Sequence, residues 1–316
     1  MTNLIYSILG FIPLILGAYW LVDGAAAIAK RKNISNLVIG LTIVAFGTSS
    51  PELIVNILSA VSDNSGFSFG NAIGSNIINI LIILGISAVI FPVIVKSSTI
   101  WIEIPLCFLS ALVILVLAND VLLDYSSVSV LNRTDGIILI AFFIIFMYYS
   151  FFSMKKEDVE HDVRIKEYST GKSIVMIITG IILLAGGGQV IVFFASKFAV
   201  DYGISERIIG LTVISFGTSL PELSTSIIAA FKKNVDISIG NIIGSNIFNT
   251  FLILGVSSTI RPISIEAGSN LDLLVNILAT LLVFIFVFTR KGRMIDRIEG
   301  AVMIGIYVVY MVFVLM

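Results

Sequence analysis

The chain has 316 residues, 58% of them hydrophobic and 12% charged, with a formal net charge of −1. Soluble domains carry about 25% charged residues, so this composition excludes a soluble globular protein and puts the chain in lipid. A single cysteine, Cys107, excludes an intrachain disulfide, and a single histidine, His161 in a charged loop, excludes a Cys/His metal cluster or a histidine-dependent triad within the membrane.

In chain order, apolar runs bounded by charge, Pro or Gly predict helices at 4–29, 37–60, 68–91, 99–118, 135–152, 173–199, 207–231, 237–260, 270–289 and 297–315. Each has the roughly 20 residues that cross a bilayer core of about 30 Å. The expected fold is an all-α polytopic membrane protein of ten transmembrane helices. The first run follows Met-Thr-Asn with no basic flank or small-residue cleavage site and reads as a retained helix. Sorting the 19 Lys and Arg onto alternating sides puts fifteen after odd-numbered helices, among them Lys30, Arg31, Lys32, Lys232 and Lys233, and only Arg133, Lys197, Arg207 and Arg261 opposite. Basic loops stay cytoplasmic, so both termini are expected outside, in a multi-pass plasma-membrane protein. Asp23, near the cytoplasmic end beside Lys30, is read as having a local structural role, and Glu103, close to the cytoplasmic boundary, as an interfacial residue opening the fourth helix.

Residues 40–53, GLTIVAFGTSSPEL, recur at 210–223 as GLTVISFGTSLPEL, with ten of fourteen positions identical. Residues 70–85, GNAIGSNIINILIILG, recur at 240–255 as GNIIGSNIFNTFLILG with eleven of sixteen identical, and Pro92 matches Pro262 at the same offset of 170. The duplication divides the chain into a five-helix repeat at 1–152, a short cytoplasmic loop at 153–172 and a second repeat at 173–316. Five is an odd number, so the second copy must enter from the other side, giving inverted repeats about an axis in the membrane plane. Gly47 with Pro51, and Gly217 with Pro221, break helices that must span. Broken backbone at membrane depth survives only where it lines a cavity or is buried in protein. Gly70 and Gly74, with Gly240 and Gly244, are spaced for close helix approach.

Glu52 and Glu222 are the only carboxylates central to a predicted span, where charge is costly and kept for function. Thr48 and Ser49 share a helix face with Glu52, as Thr218 and Ser219 do with Glu222. Ser75 and Asn79, and Ser245 and Asn249, are again four apart on the adjacent helices. Two copies thus bring two carboxylates, hydroxyls and amides to one point, an all-oxygen set suited to calcium with sodium as competitor.

The paired G-T-S-x-P-E and G-N-x-I-G-S-N-I-x-N segments resemble the two alpha repeats of the sodium/calcium exchanger family, within the calcium/cation antiporter superfamily, and the resemblance covers the ten-helix plan. It implies a core of helices two, three, seven and eight, with helices one and six sliding across it to alternate access. It also implies Glu52 and Glu222 as central ligands, helped by Thr48, Ser49, Ser75, Asn79, Thr218, Ser219, Ser245 and Asn249. Backbone carbonyls near Ala45 and Ser215 would serve outlying sodium sites, and three sodium ions would exchange for one calcium. Some branches carry aspartate at one of the last asparagine positions. Here Asn79 and Asn249 are both amides, which argues against potassium coupling, and the 153–172 loop has no room for the calcium-binding domain of animal members. The expected protein is not an enzyme and takes no cofactor. Its partners are calcium, sodium and the bilayer, with no nucleic acid or protein partner evident. A proton/calcium antiporter is the nearest alternative and a passive cation channel a more distant one.

Overall fold

The computed structural model describes residues 2–61, 65–123, 125–153, 166–201, 215–266, 268–289 and 292–315. Its helices are α1 (Thr2–Lys32), α2 (Asn36–Thr48 and Ser50–Val61), α3 (Ser68–Ile90), α4 (Thr99–Leu117), α5 (Arg133–Ser153), α6 (Thr170–Asp201), α7 (Ser215–Thr218 and Leu220–Phe231), α8 (Val235–Ile260), α9 (Ser269–Thr289) and α10 (Arg297–Leu315). Among the described residues eight helices are long and apolar enough to cross a membrane, or nine if the bent α2 is one span. The predicted start of α7, at 207–214, lies outside the described residues, as does most of the 153–172 loop.

Which helices sit inside follows from where the polar residues fall. α3 and α8 are 78% and 89% buried along their apolar windows, against 22–39% for the other long helices. The two central helices carry Asn71, Ser75, Asn76 and Asn79, and Asn241, Ser245, Asn246 and Asn249, all buried. Such side chains are costly against lipid and draw a helix into the bundle. The outer helices turn Ile5, Ile8, Ile12, Ile137, Ile144, Ile178 and Ile182 outward, as a lipid-facing surface requires. Among the described residues, π-helical turns widen the helices at Gly40–Val44, Asn79–Leu84, Thr99–Glu103 and Phe248–Ile253. Such turns shift carbonyls out of register and recur at functional sites.

Glycines set the closest crossings. A Cβ on Gly17 would lie 2.7 Å from the Gly180 carbonyl, and one on Gly187 would lie 2.9 Å from the Gly10 carbonyl, so α1 and α6 pack antiparallel with their backbones touching. Between α2 and α8, a Cβ on Gly240 would meet the Leu37 carbonyl at 2.7 Å, and one on Gly244 the Leu41 carbonyl at 2.7 Å. The expected close approach holds for this pair. It does not appear at Gly70 and Gly74, where no described atom lies within 4 Å of an added Cβ. The segment that would match Gly40 and Leu41 there falls in the undescribed stretch.

The described fold is all-helical apart from two short ribbons, in which Val93–Ile94 pairs antiparallel with Met294–Ile295, and Ser129–Leu131 with Ile263–Ile265. Pro92 and Pro262 end α3 and α8, and the β-branched residues behind them run extended. Glu103, expected near the membrane boundary, is buried among protein neighbours and accepts from the Tyr149 hydroxyl of α5 at 2.6 Å. Asp23 pairs with Lys232, at the end of α7, and with Lys166, while Lys30 pairs with Glu167 at 2.7 Å. The structural role expected of Asp23 is thus a tie from α1 to the α7–α8 hairpin.

Candidate ion-binding site

Pro51 has no N–H to donate to Gly47 four residues back, and its ring crowds that carbonyl, so α2 cannot run straight through. Ser49 takes up the turn with φ −84° and ψ 2°, and the axis bends by 46°. Pro221 repeats the constraint over Gly217, and Ser219 has nearly the same backbone, φ −87° and ψ 3°. Each helix restarts beyond its break, and Glu52 and Glu222 stand in the first turn of the new segments, where the helix dipole favours negative charge. Both are 1% exposed, and they lie close enough for their charges to interact.

The hydroxyls predicted around them form cross-copy contacts. Ser49 donates to Glu222 Oε1 at 2.8 Å and lies 3.0 Å from the Ser245 hydroxyl. One hydroxyl carries one proton, so the second contact has Ser245 donating. Thr48 is 3.0 Å from Asn241 Oδ1, and Thr218 is 3.2 Å from Asn71 Oδ1. Ser219 meets Ser75 at 3.2 Å. One turn further along the central helices, Asn79 Nδ2 donates to Asn246 Oδ1 at 3.0 Å and Asn249 Nδ2 to Asn76 Oδ1 at 3.1 Å. Each of these contacts has a twin with the two residues exchanged between copies at the offset of 170. The two carboxylates are the exception: Glu222 accepts from Ser49, whereas Ser219, the equivalent of Ser49, turns to Ser75 instead of Glu52.

Five buried oxygens at these positions have no hydrogen-bond partner: both of Glu52, Oε2 of Glu222, and the amide oxygens of Asn79 and Asn249. Leaving a buried acceptor unsatisfied costs about 1–3 kcal/mol, more when it is charged. All five are hard oxygen donors, the kind that calcium and sodium take and that nitrogen- or sulfur-seeking metals do not. The Ala45 carbonyl accepts from the Ser49 N–H at 2.9 Å and is 3.3 Å from the Thr48 hydroxyl. It has a free lone pair only when the Thr48 proton turns to Asn241. Ser215 opens the short first segment of α7, and residues 210–214 lie outside the described residues.

Sequence reasoning missed Asn71, Asn241, Asn76 and Asn246. All four stand in the duplicated motif, and their recurrence at one offset was the available signal. A cavity of about 1040 Å³ lies between α6 and the two breaks, lined by Pro51, Gln189, Gly217, Thr218 and Pro221 and reaching Asn3 and Asp201 at the helix ends.

A family model described as sodium/calcium exchanger protein matches residues 2–152 and 172–316. A protein named as a candidate antiporter, CaxA of Alkalimonas amylolytica, is 37% identical, with 97% of this chain and 96% of that protein covered. The sodium/calcium exchanger MaX1 of Methanosarcina acetivorans is 29% identical over 98% of this chain and 97% of its own length. A solved structure of the sodium-calcium exchanger NCX_Mj, soaked with sodium and no calcium, superposes with a TM-score of 0.84 at 33% identity, covering 98% of both chains.

Proposed function

The chain belongs to the sodium/calcium exchanger family, in its short form without a large regulatory loop, and from that premise we propose that it exchanges sodium for calcium by alternating access. Members of that family are multi-pass membrane transporters, not enzymes. The observation that carries the finer reading is the set of five unpartnered buried oxygens from Glu52, Glu222, Asn79 and Asn249. Two carboxylates balance one divalent ion, and the same oxygens can hold sodium instead, so the two cargoes compete for one site. Such competition is the basis of antiport. Thr48, Ser49, Ser75, Thr218, Ser219 and Ser245 complete the site in this proposal, with the carbonyls of Ala45 and Ser215 at its edges.

The architecture proposed with it is ten spans in two inverted repeats, 1–152 and 173–316, joined by the cytoplasmic loop 153–172. The twinned contacts support it, since a two-fold axis makes residue i touch j and j touch i. Gly17 against Gly180 and Gly10 against Gly187 are such a pair, and the two ribbons are another, each joining a strand of one copy to a strand of the other. The charge tally supports extracytoplasmic termini, and a plasma-membrane location is proposed with them. The cavity beside α6 is then the outward path to the breaks.

Calcium-45 uptake into sodium-loaded proteoliposomes tests the exchange. Uptake is expected to need the outward sodium gradient and to be indifferent to added potassium. Uptake driven by a pH gradient instead would make the protein a proton antiporter, and uptake without any counter-ion gradient a channel. At three sodium ions per calcium each cycle moves one net charge, worth about 2.3 kcal/mol per 100 mV. An inside-positive clamp should therefore accelerate uptake, and a rate that ignores voltage would rule that stoichiometry out.

A further inference from the structure

On the central helices Asn79 and Asn249, both in the ligand set above, join Asn76 and Asn246, which are not, in a four-membered relay. Asn76, Asn79, Asn246 and Asn249 are each 1% exposed. Asn79 spends its amide N–H₂ on Asn246 Oδ1 at 3.0 Å, and Asn249 spends its own on Asn76 Oδ1 at 3.1 Å. The acceptors are themselves held. Asn246 Nδ2 donates to the Asn76 backbone carbonyl at 3.2 Å, and Asn76 Nδ2 donates to the Thr250 hydroxyl at 2.9 Å. Asn79 Oδ1 and Asn249 Oδ1 are the ends of the relay, both buried and without a hydrogen-bond partner.

A carboxamide has a donor end and an acceptor end, and only the acceptor end suits a cation. If Asn79 flipped, its N–H₂ would face the ion and its oxygen would face the oxygen of Asn246. Two repulsions would replace one hydrogen bond and one ligand contact. We infer that Asn76 and Asn246 are positioning residues that lock Asn249 and Asn79 with their carbonyl oxygens toward the transported ions. The inference rests on the exchange site proposed above and adds the reason a site with amides at both positions needs a partner for each. A carboxylate offers oxygen whichever way it turns and needs no such lock. The two branches end differently: the offset places Ile80 opposite Thr250, and Asn246, lacking that hydroxyl, uses a backbone carbonyl.

The test is a double-substitution cycle on the full-length protein, read as calcium affinity from the calcium-dependent rise in melting temperature and from sodium competition. Asn246→Leu is expected to weaken calcium about tenfold in the wild-type background and by less than about twofold when Asn79→Asp is already present, because coupled residues lose additivity. Equal losses in both backgrounds, or no loss in the first, overturn the inference, since a residue that only supports packing costs the same in each. Should Asn246→Leu not fold, the twin cycle of Asn76→Leu with Asn249→Asp carries the same expectation and the same refutation. Wild-type protein that binds no calcium overturns the site reading and this inference together, whereas wild-type binding with additive losses overturns this inference alone.

Discussion

Glu52→Gln and Glu222→Gln are each expected to reduce sodium-driven calcium flux by roughly 100-fold or more, because removing one partner of a buried ionic contact costs about 3–5 kcal/mol and each 1.4 kcal/mol is tenfold. Glutamine keeps the volume, so the loss reports on charge rather than on packing. The same substitutions should raise the melting temperature in the absence of ions. Two carboxylates, each 1% exposed and near enough to interact, destabilise an ion-free core, and neutralising either relieves it. Glu52→Gln should give the larger gain, since neither Glu52 oxygen has a partner while Glu222 accepts the Ser49 hydroxyl at 2.8 Å. Calcium-dependent stabilisation should disappear in both. Flux in proteoliposomes and melting curves with and without calcium check the pair of effects, and wild-type exchange by either variant would remove these carboxylates from the ligand set.

Local chemistry made the breaks and helix bounds legible. Gly47 with Pro51 and Gly217 with Pro221 are rules about a single strand of backbone, and the turns at Ser49 and Ser219 follow from them. The run predicted at 99–118 appears as Thr99–Leu117 because its limits are set by Ser, Pro and charge in sequence. What was not legible depends on how helices cross. Facing rules at i and i+4 pick out Ser75 with Asn79 on one helix, but they cannot say that Thr48 meets Asn241 or that Asn79 meets Asn246 on another. The burial of Glu103 was not legible either, since its partner Tyr149 stands forty-six residues later on another helix. The π-helical turns at Asn79–Leu84 and Phe248–Ile253 were invisible for a related reason: they are shifts of hydrogen-bond register that tertiary contacts select. The duplication supplied part of what crossing geometry withheld, since any contact between the copies implies its twin.

The packing of α1 against α6 supplies the second large effect. A Cβ on Gly17 would fall 2.7 Å from the Gly180 carbonyl and 2.8 Å from the Leu184 nitrogen, both backbone atoms that cannot rotate away. Gly17→Val must therefore part the two helices or bend one of them. Overpacking of this kind costs about 1–3 kcal/mol, and at about 2–4 °C per kcal/mol the melting temperature should fall by around 5 °C. Gly305→Val on α10 is the control, because nothing lies within 4 Å of a Cβ there and the residue is exposed. Both changes put a β-branched residue into a long helix, so the difference between them isolates the contact. If α1 and α6 slide as one body across the core, the wedge at Gly17 should also slow exchange, while calcium affinity at Glu52 and Glu222 stays near its wild-type value. Equal melting temperatures for the two variants would show that the α1–α6 crossing tolerates separation, and a rigid sliding pair would then no longer follow from its glycines.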